Sequence, residues 1–322
     1  MIRKLIILQF LVFAVLICKS QDPYFVLTKN VSVYLNPAFT GFDECNRVVS
    51  MYQNRYPALG RTYQTYYLSY DQKVKEIFGG LSIRGMYDSE GDGAIRTKSV
   101  YSAYSSNIKL FNDKLLICPA IEFGIIHNKL NLDFIFPHMI HPEYGHMGNS
   151  SEIKNPVTVF DINSGLVIAH HNLIYGVSFH HITQPKYGFY NANKLPLKYT
   201  IHASYVYNLN DKLRISPIVL YQSQKIHEFY SANISFAYNN LMSSIGIRLD
   251  NSGIRLDNSY NVNAYNINLG YKLYKFIFGY SYVLFVSKLS NQKLGSHEFS
   301  ATFNFNCKNK EENNNKIEFI NF

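Results

Sequence analysis

From residue 46 onward the side chains alternate between two unlike faces over stretch after stretch, and no helical period competes with that alternation. In "FYSANISFAY", residues 229–238, Tyr230, Ala232, Ile234, Phe236 and Tyr238 share one face, against Phe229, Ser231, Asn233, Ser235 and Ala237. Residues 265–272 oppose Tyr265, Ile267, Leu269 and Tyr271 to Asn266, Asn268, Gly270 and Lys272. Near the end, "HEFSATFNFN" sets Phe299, Ala301, Phe303 and Phe305 against Ser300, Thr302, Asn304 and Asn306. A soluble sheet buries such an apolar face in its core, whereas a membrane barrel turns it to lipid and lines its lumen with the polar one.

The connections separate these alternatives. Turn signals cut the chain into about fourteen strands, near 46–56, 61–72, 77–87, 95–109, 115–126, 158–169, 173–182, 198–208, 213–222, 227–238, 241–249, 261–272, 276–286 and 297–306. Most are long enough for a tilted strand to cross a bilayer, which takes about 9–11 residues. Every second connection is tight: 73–76, 111–114, 170–172, 209–212, 239–240 and 273–275. The others include the longer stretches 88–94, 128–156, 183–196, 250–260 and 287–296, with 57–60 and 223–226 as short exceptions. Short periplasmic turns alternating with longer outer loops mark an outer-membrane barrel. A sandwich would place a turn every 8–12 residues or so and a propeller would repeat its blades, and neither pattern is visible. The reading is an all-β transmembrane antiparallel barrel of about fourteen strands, with Phe299, Phe303 and Phe305 of the last strand facing lipid.

The first twenty residues stand apart. Arg3 and Lys4 precede the apolar run Leu5–Cys18, and Cys18 and Ser20 suit positions −3 and −1 of a signal-peptide cleavage before Gln21. A lipoprotein reading centred on Cys18 competes, although Val15 and Ile17 are bulkier than a lipobox prefers. Loss of Arg3, Lys4 and Lys19 with the leader lowers the formal net charge from +9 to +6. The remaining cations are scattered singly, which fits a solvated surface and argues against a nucleic-acid partner. The 27 Tyr and 23 Phe, with no Trp, suit membrane interfaces, where a ring and a polar tip each find their medium. Cys45, Cys118 and Cys307 remain after the leader, allowing one disulfide and no disulfide framework.

Chemistry finds little foothold. His138, His141 and His146, with Glu143, lie in the longest loop, but their spacing matches no rigid zinc site and a solvated loop is the better reading. The pairs His170-His171 and His180-His181 are weaker still, because adjacent residues on a strand face opposite sides and neither pair can chelate together. Asp88, Glu90 and Asp92 lack the terminal Glu of a calcium loop, and no nucleophile stands beside a base. No catalytic residue, cofactor or metal is assigned. "GIRLDNS" at 246–252 recurs at 253–259, read as a duplication tolerated in an outer loop.

The segment "YLNPAFTG", Tyr34–Gly41, follows "QDPYF" and precedes "NRYP" at 54–57. With "FGGLSI" at 78–83, "YSAYSSNIKL" at 101–110, "DINSGLVIAHHNLIYGVSFHHITQP" at 161–185, "HASYVYNLNDKLRISPIVL" at 202–220 and "GSHEFSATFNF" at 295–305, it resembles the PorP/SprF family of outer-membrane proteins tied to type IX secretion in Bacteroidetes. Asn36, Pro37, Ala38, Phe39 and Gly41 carry the family motif. The resemblance implies a non-enzymatic outer-membrane barrel of the secretion and gliding system. Its implied partners are a secreted surface protein with a type IX C-terminal domain, periplasmic ring or motor components, and membrane lipid. A general porin, read from the polar lumen alone, and a hydrolase without a nameable nucleophile are the other readings. The organisation that follows is a signal peptide over 1–20, an N-terminal periplasmic or plug segment with the motif over 21–45, the barrel over 46–306 and a polar periplasmic tail over 307–322.

The tail runs through Lys, Glu and Asn and ends "KIEFINF", which either adds as a strand to a periplasmic partner or frays. Truncation after Cys307 is expected to leave insertion intact while co-purification of periplasmic motor components falls. Unchanged co-purification assigns the tail to disorder.

Overall fold

The computed structural model describes residues 22–59, 63–112, 114–131, 154–189, 194–210, 212–251, 261–286 and 295–307. They form a closed barrel of fourteen antiparallel strands. In chain order these are β1 Asn46–Arg55, β2 Tyr63–Val74, β3 Gly79–Glu90, β4 Ile95–Ser106, β5 Leu115–Leu130, β6 Val157–His170 and β7 Leu173–His180. There follow β8 Lys198–Tyr205, β9 Leu213–Gln224, β10 His227–Tyr238, β11 Leu241–Asp250, β12 Asn261–Leu273, β13 Phe276–Phe285 and β14 Gly295–Phe305. Short pieces at Ile108–Leu110 and Tyr207–Asn208 prolong β4 and β8. Each strand pairs with its neighbour in sequence, and the ring closes by β1 against β14, Val48 opposite Phe303 and Tyr52 opposite Phe299. Cys45 and Cys307, just outside that seam, form a disulfide. No helix among the described residues is long and apolar enough to cross a membrane.

The strands overrun several sequence-derived ends. The connection expected over 88–94 shrinks to Gly91–Ala94, because Asp88 and Glu90 continue β3 and pair with Thr97 and Ile95. Gly246–Asp250 of the first GIRLDNS copy lie in β11, which runs one residue beyond the expected end at 249. The second copy, the leader, the histidine-bearing loop at 138–146 and the tail beyond Cys307 lie outside the described residues. The inequality of the two rims holds. Residues 75–78, 111–114, 171–172, 209–212, 239–240 and 274–275 close one end, and the longer connections sit at the other. We call these the turn end and the loop end, and the outer-membrane rule puts the turn end in the periplasm.

Burial alternates along the wall. In β14, Glu298, Ser300 and Thr302 are buried inward while Phe299 is 51% exposed outward. Phe303 and Phe305 share the outward face half-buried, stacked on Phe276 and on each other with centroids 4.7 and 5.3 Å apart. The inward face differs from a Ser, Asn and Gly lining. It also carries Arg47, Asp71, Arg84, Glu122, Asp161 and Glu298, and the apolar Val49, Met51, Val167 and Ile174, all buried. A water-filled pore would not bury such side chains; a filled lumen does.

Arginine at Phe299 is expected to cost about 2–4 kcal/mol of barrel stability, the penalty for a cation on a lipid-facing strand near the bilayer midplane. Arginine at Tyr274, on a turn, is expected to change it little. Heat-modifiability on gels compares the two, and equal effects would overturn the assigned outer face. Arginine at Thr302 is also expected to be damaging, because that side chain points into packed protein and an oversized group there forces neighbours off their rotamers.

Candidate functional site

Residues 22–45 fill the barrel. The segment meets the loop end at Asp22, beside His181 and Lys198, and reaches the turn end at Cys45. Between them it folds one short helical turn, Ser32–Leu35, and a 3-10 turn, Pro37–Phe39. Phe25, Leu27, Val31 and Tyr34 pack on Val49, Met51, Tyr67 and Ile277, and Leu35, Ala38, Phe39 and Phe42 pack on Val167, Ala169, Ile174 and Leu220. Full burial of a Phe, Val or Leu side chain contributes about 1.5–3 kcal/mol.

The segment's turns pair part of its backbone, as in the Leu35 N–H to the Val31 carbonyl at 3.0 Å and the Thr40 N–H to the Pro37 carbonyl at 3.1 Å, and the wall supplies partners for other groups. The Glu298 carboxylate accepts from the Val26 N–H at 2.9 Å and the Leu27 N–H at 3.1 Å. Gln53 donates through Nε2 to Glu298 and to the Tyr24 carbonyl, each at 2.7 Å. Ser178 donates to the Leu35 carbonyl at 2.8 Å and Ser105 to the Ala38 carbonyl at 3.2 Å.

The family-motif residues sit in this interior. Asn36 caps the 3-10 turn, its Oδ1 accepting from the Ala38 N–H at 3.0 Å, while Nδ2 donates to the carbonyls of Leu166 at 3.2 Å and Val177 at 3.1 Å. Pro37 occupies the first position of that turn, where a missing N–H costs nothing. Phe39 lies against His202 and Phe42, centroids 5.3 and 5.5 Å away. The wall makes room with glycine: a Cβ on Gly165 would strike the Asn36 side chain, and one on Gly176 would strike His202. Gly41 has φ +61°, and its added Cβ would stand 2.6 Å from Gly80 Cα and 2.7 Å from the Gln72 carbonyl oxygen. Two backbones touch there, and only glycine permits both the contact and the left-handed turn.

Charge pins both ends of the segment. At the turn end Arg47 donates to Asp71 at 2.9 Å and to Ser32 at 2.8 Å, and Lys73 meets Glu44 at 2.7 Å. At the loop end His181 bridges two carboxylates, Nε2 to Asp22 at 2.9 Å and Nδ1 to Asp161 at 2.7 Å, and Lys198 contacts Asp22 at 2.5 Å. Tyr101 donates to Asp161 at 2.9 Å, and Arg84 makes a two-pronged contact with Glu122, both at 2.7 Å. Burial disfavours a charged His181 ring, but Asp22 and Asp161 outweigh it and raise the group to about 9. Burial would likewise raise the Asp22 carboxyl, yet Lys198 and His181 hold it well below the usual carboxylate range. Lys29 is buried with Ser216 as its hydrogen-bond partner at 2.8 Å. A cavity of ≈ 200 Å³ remains between the segment's first residues and the loop-end wall, lined by Tyr24, Gln53, Arg55, Phe229, Arg248 and Phe285 among others.

Beyond the dismissed His180-His181 pair, the sequence pattern did not single out Arg84, Glu122, Asp161, Lys198 or Glu298. Their signal is a charged residue in step with the Ser and Asn of an amphipathic strand. The adjacent histidines also depart from expectation. His171 and His181 lie just past β6 and β7 with φ +53° and +61°, so strand alternation no longer applies to them. His171 Nδ1 meets His170 Nε2 at 3.0 Å, and His180 and His181 are both buried. Among the described residues no three His, Cys, Asp or Glu side chains gather as a metal site.

The Asp22–His181 clamp has a definite pH window. The raised histidine contributes fully below its unfolded pKa of about 6.5 and loses its contribution as pH rises through about 9. The lowered carboxyl contributes fully above about 4 and loses its share as pH falls through its depressed value. Hydrogen exchange of the amides of residues 22 and 24–26, corrected for intrinsic rates, is therefore expected to be slowest between about pH 4 and 6.5 and to quicken towards 9. His181→Gln is expected to flatten the alkaline limb; an unchanged profile would remove the clamp from the account.

No curated protein shows significant sequence similarity to the chain. Among solved structures, the CymD monoaromatic hydrocarbon channel aligns over 85% of this chain and 91% of its own at 12% identity, with a TM-score of 0.51. The TodX monoaromatic hydrocarbon channel deltaS2 mutant aligns over 85% and 92% at 11% identity and TM-score 0.49, and Omp33 of Acinetobacter baumannii over 81% and 99% at 11% and 0.44. At this identity the CymD likeness speaks to the fold alone. The family model for the type IX secretion system membrane protein PorP/SprF matches residues 17–303. With a barrel wall, an apolar outer face and a match over nearly the whole length, this chain belongs to the PorP/SprF family and is a β-barrel of the outer membrane.

Proposed function

We propose that this protein is a closed, non-enzymatic barrel that assists export or surface anchoring of an adhesin-like cargo and links it to periplasmic machinery of the type IX system. The cargo would carry the system's C-terminal export domain. The observation behind this reading is the filled lumen: residues 22–45 are bonded to the wall from β1 round to β14. A solute channel needs a path, and here Phe25, Val31, Leu35 and Phe39 occupy it. In this reading residues 21–45 act as a plug, the motif Asn36, Pro37, Ala38, Phe39 and Gly41 seats that plug, and Phe299, Phe303 and Phe305 meet lipid. Loops held on a rigid frame are the natural place to grip another protein.

Single-channel recording in planar bilayers tests it. The intact protein is expected to be silent, and a variant lacking residues 22–42, with Cys45 retained, is expected to conduct. Steady open pores from the intact protein would favour a porin. In cells, loss of the gene is expected to strip a specific protein from the surface; an unaltered surface and unaltered motility would refute the anchoring role.

A further inference from the structure

The turn end carries side chains that neither wall nor lumen requires. Phe78 lies between β2 and β3, Phe111 between β4 and β5, and Tyr274 between β12 and β13. They are 80%, 76% and 89% exposed, whereas the other exposed large apolar residues described, those on the outer wall included, stop at 59%. All three hold φ values of +52° to +53°, a region that glycine and asparagine enter readily and a bulky aromatic does not. No side-chain hydrogen bond or ring contact among the described residues offsets that strain. Tight hairpins favour a residue at positive φ, but the requirement is met most cheaply by glycine or asparagine, as Asn239 meets it in the turn after β10. An aromatic kept where it is conformationally disfavoured and unburied points to a contact outside the chain.

Two observations identify the contact. The outward rings Phe276, Phe303, Phe305 and Tyr70 already stack as a girdle at this rim, and the three tips stand beyond the last strand residues Val74, Leu110 and Leu273. Lys75, Lys114, Lys272 and Lys275 are exposed on the same turns or beside them and Lys212 on another turn of this end, against Glu76 among the described residues, with Asp43 and Glu44 already paired to Arg47 and Lys73. With Asp113 and Asp211, which belong to two of these turns by sequence, the cations still prevail. We propose that the turn end is a docking surface for a periplasmic protein that presents an acidic face with recesses for the rings of Phe78, Phe111 and Tyr274. Aromatic anchors supply the buried contact, and the lysines orient and speed the approach. This rests on the periplasmic link in the proposed function and names the surface that makes it.

Photo-crosslinking in cells tests the surface, with p-benzoylphenylalanine placed at positions 78, 111 and 274, and at outer-wall position 267 as the lipid-facing control. All three tips are expected to give the same protein adduct and position 267 none. The combined changes Lys75→Glu, Lys272→Glu and Lys275→Glu are expected to lower the adduct yield at least tenfold. Phe78→Asn, Phe111→Asn and Tyr274→Asn together are expected to leave a heat-modifiable, folded barrel, since asparagine tolerates the left-handed turn, while co-purification of the crosslinked protein is lost. Adducts to lipid alone would make the tips membrane-interface anchors and overturn the proposal, as would a yield indifferent to charge reversal. Failure of the anchoring reading is separately visible: the intact protein would conduct, or surface display would survive gene loss, with the adducts still forming.

Discussion

The structure turns on a hydrogen-bonding problem. A short, mostly irregular peptide held inside a barrel has amides and carbonyls that neither water nor a partner strand satisfies, and each orphaned group costs free energy comparable to a lost hydrogen bond. The wall therefore carries side chains with hydrogen-bonding groups aimed at backbone. Glu298 takes two successive N–H groups, and Gln53, Ser105 and Ser178 each take a carbonyl. Once these partners are fixed, the register of the segment is fixed, and the apolar contacts of Phe25 and Phe39 follow from it.

Fixed charges then serve a second need. Carboxylates and guanidiniums inside a protein are tolerable only when paired and hydrogen-bonded, and breaking such a pair costs far more than the pair itself contributes. Arg84 with Glu122, Arg47 with Asp71, and His181 between Asp22 and Asp161 meet that condition. The contacts of Asp22 with His181 and of Ser32 with Arg47 also set the register, because a segment slipped by one residue would leave Asp22 or Ser32 away from its partner.

Much of the wall was legible in the sequence, because period-two alternation is enforced wherever one face meets lipid. Phe299 and its neighbours needed no other information. The alternation of tight and long connections was equally readable, since loop length is free only at one rim. What fills the lumen was legible only as a candidate, residues 21–45 read as a periplasmic or plug segment, without the contacts that hold it. Val49, Met51 and Ile174 read locally as ordinary strand residues, and their inward position follows from a segment more than a hundred residues away in the case of Ile174. Strand ends were also opaque: Asp88 and Glu90 look like turn residues, and their place in β3 depends on pairing with β4. The motif Asn36-Pro37-Ala38-Phe39 was visible as a pattern, but its reason, an amide side chain filling the space over Gly165, belongs to tertiary structure alone.

The bond between Cys45 and Cys307 makes the barrel a covalent ring as well as a hydrogen-bonded one. Residues 22–44 begin at one of its two linked cysteines and run through its middle, so the molecule has the topology of a lasso. Parting β1 from β14 would open the sheet without cutting that loop. The segment is anchored covalently at Cys45, and it can leave only by being drawn lengthwise through the lumen. A force applied along the barrel axis therefore meets the packed interior in series, one layer after another, while a force across the seam is borne by the sulfur atoms. A component that couples a surface-bound load to machinery beneath it would gain from that arrangement a frame that keeps its loop when the sheet is strained.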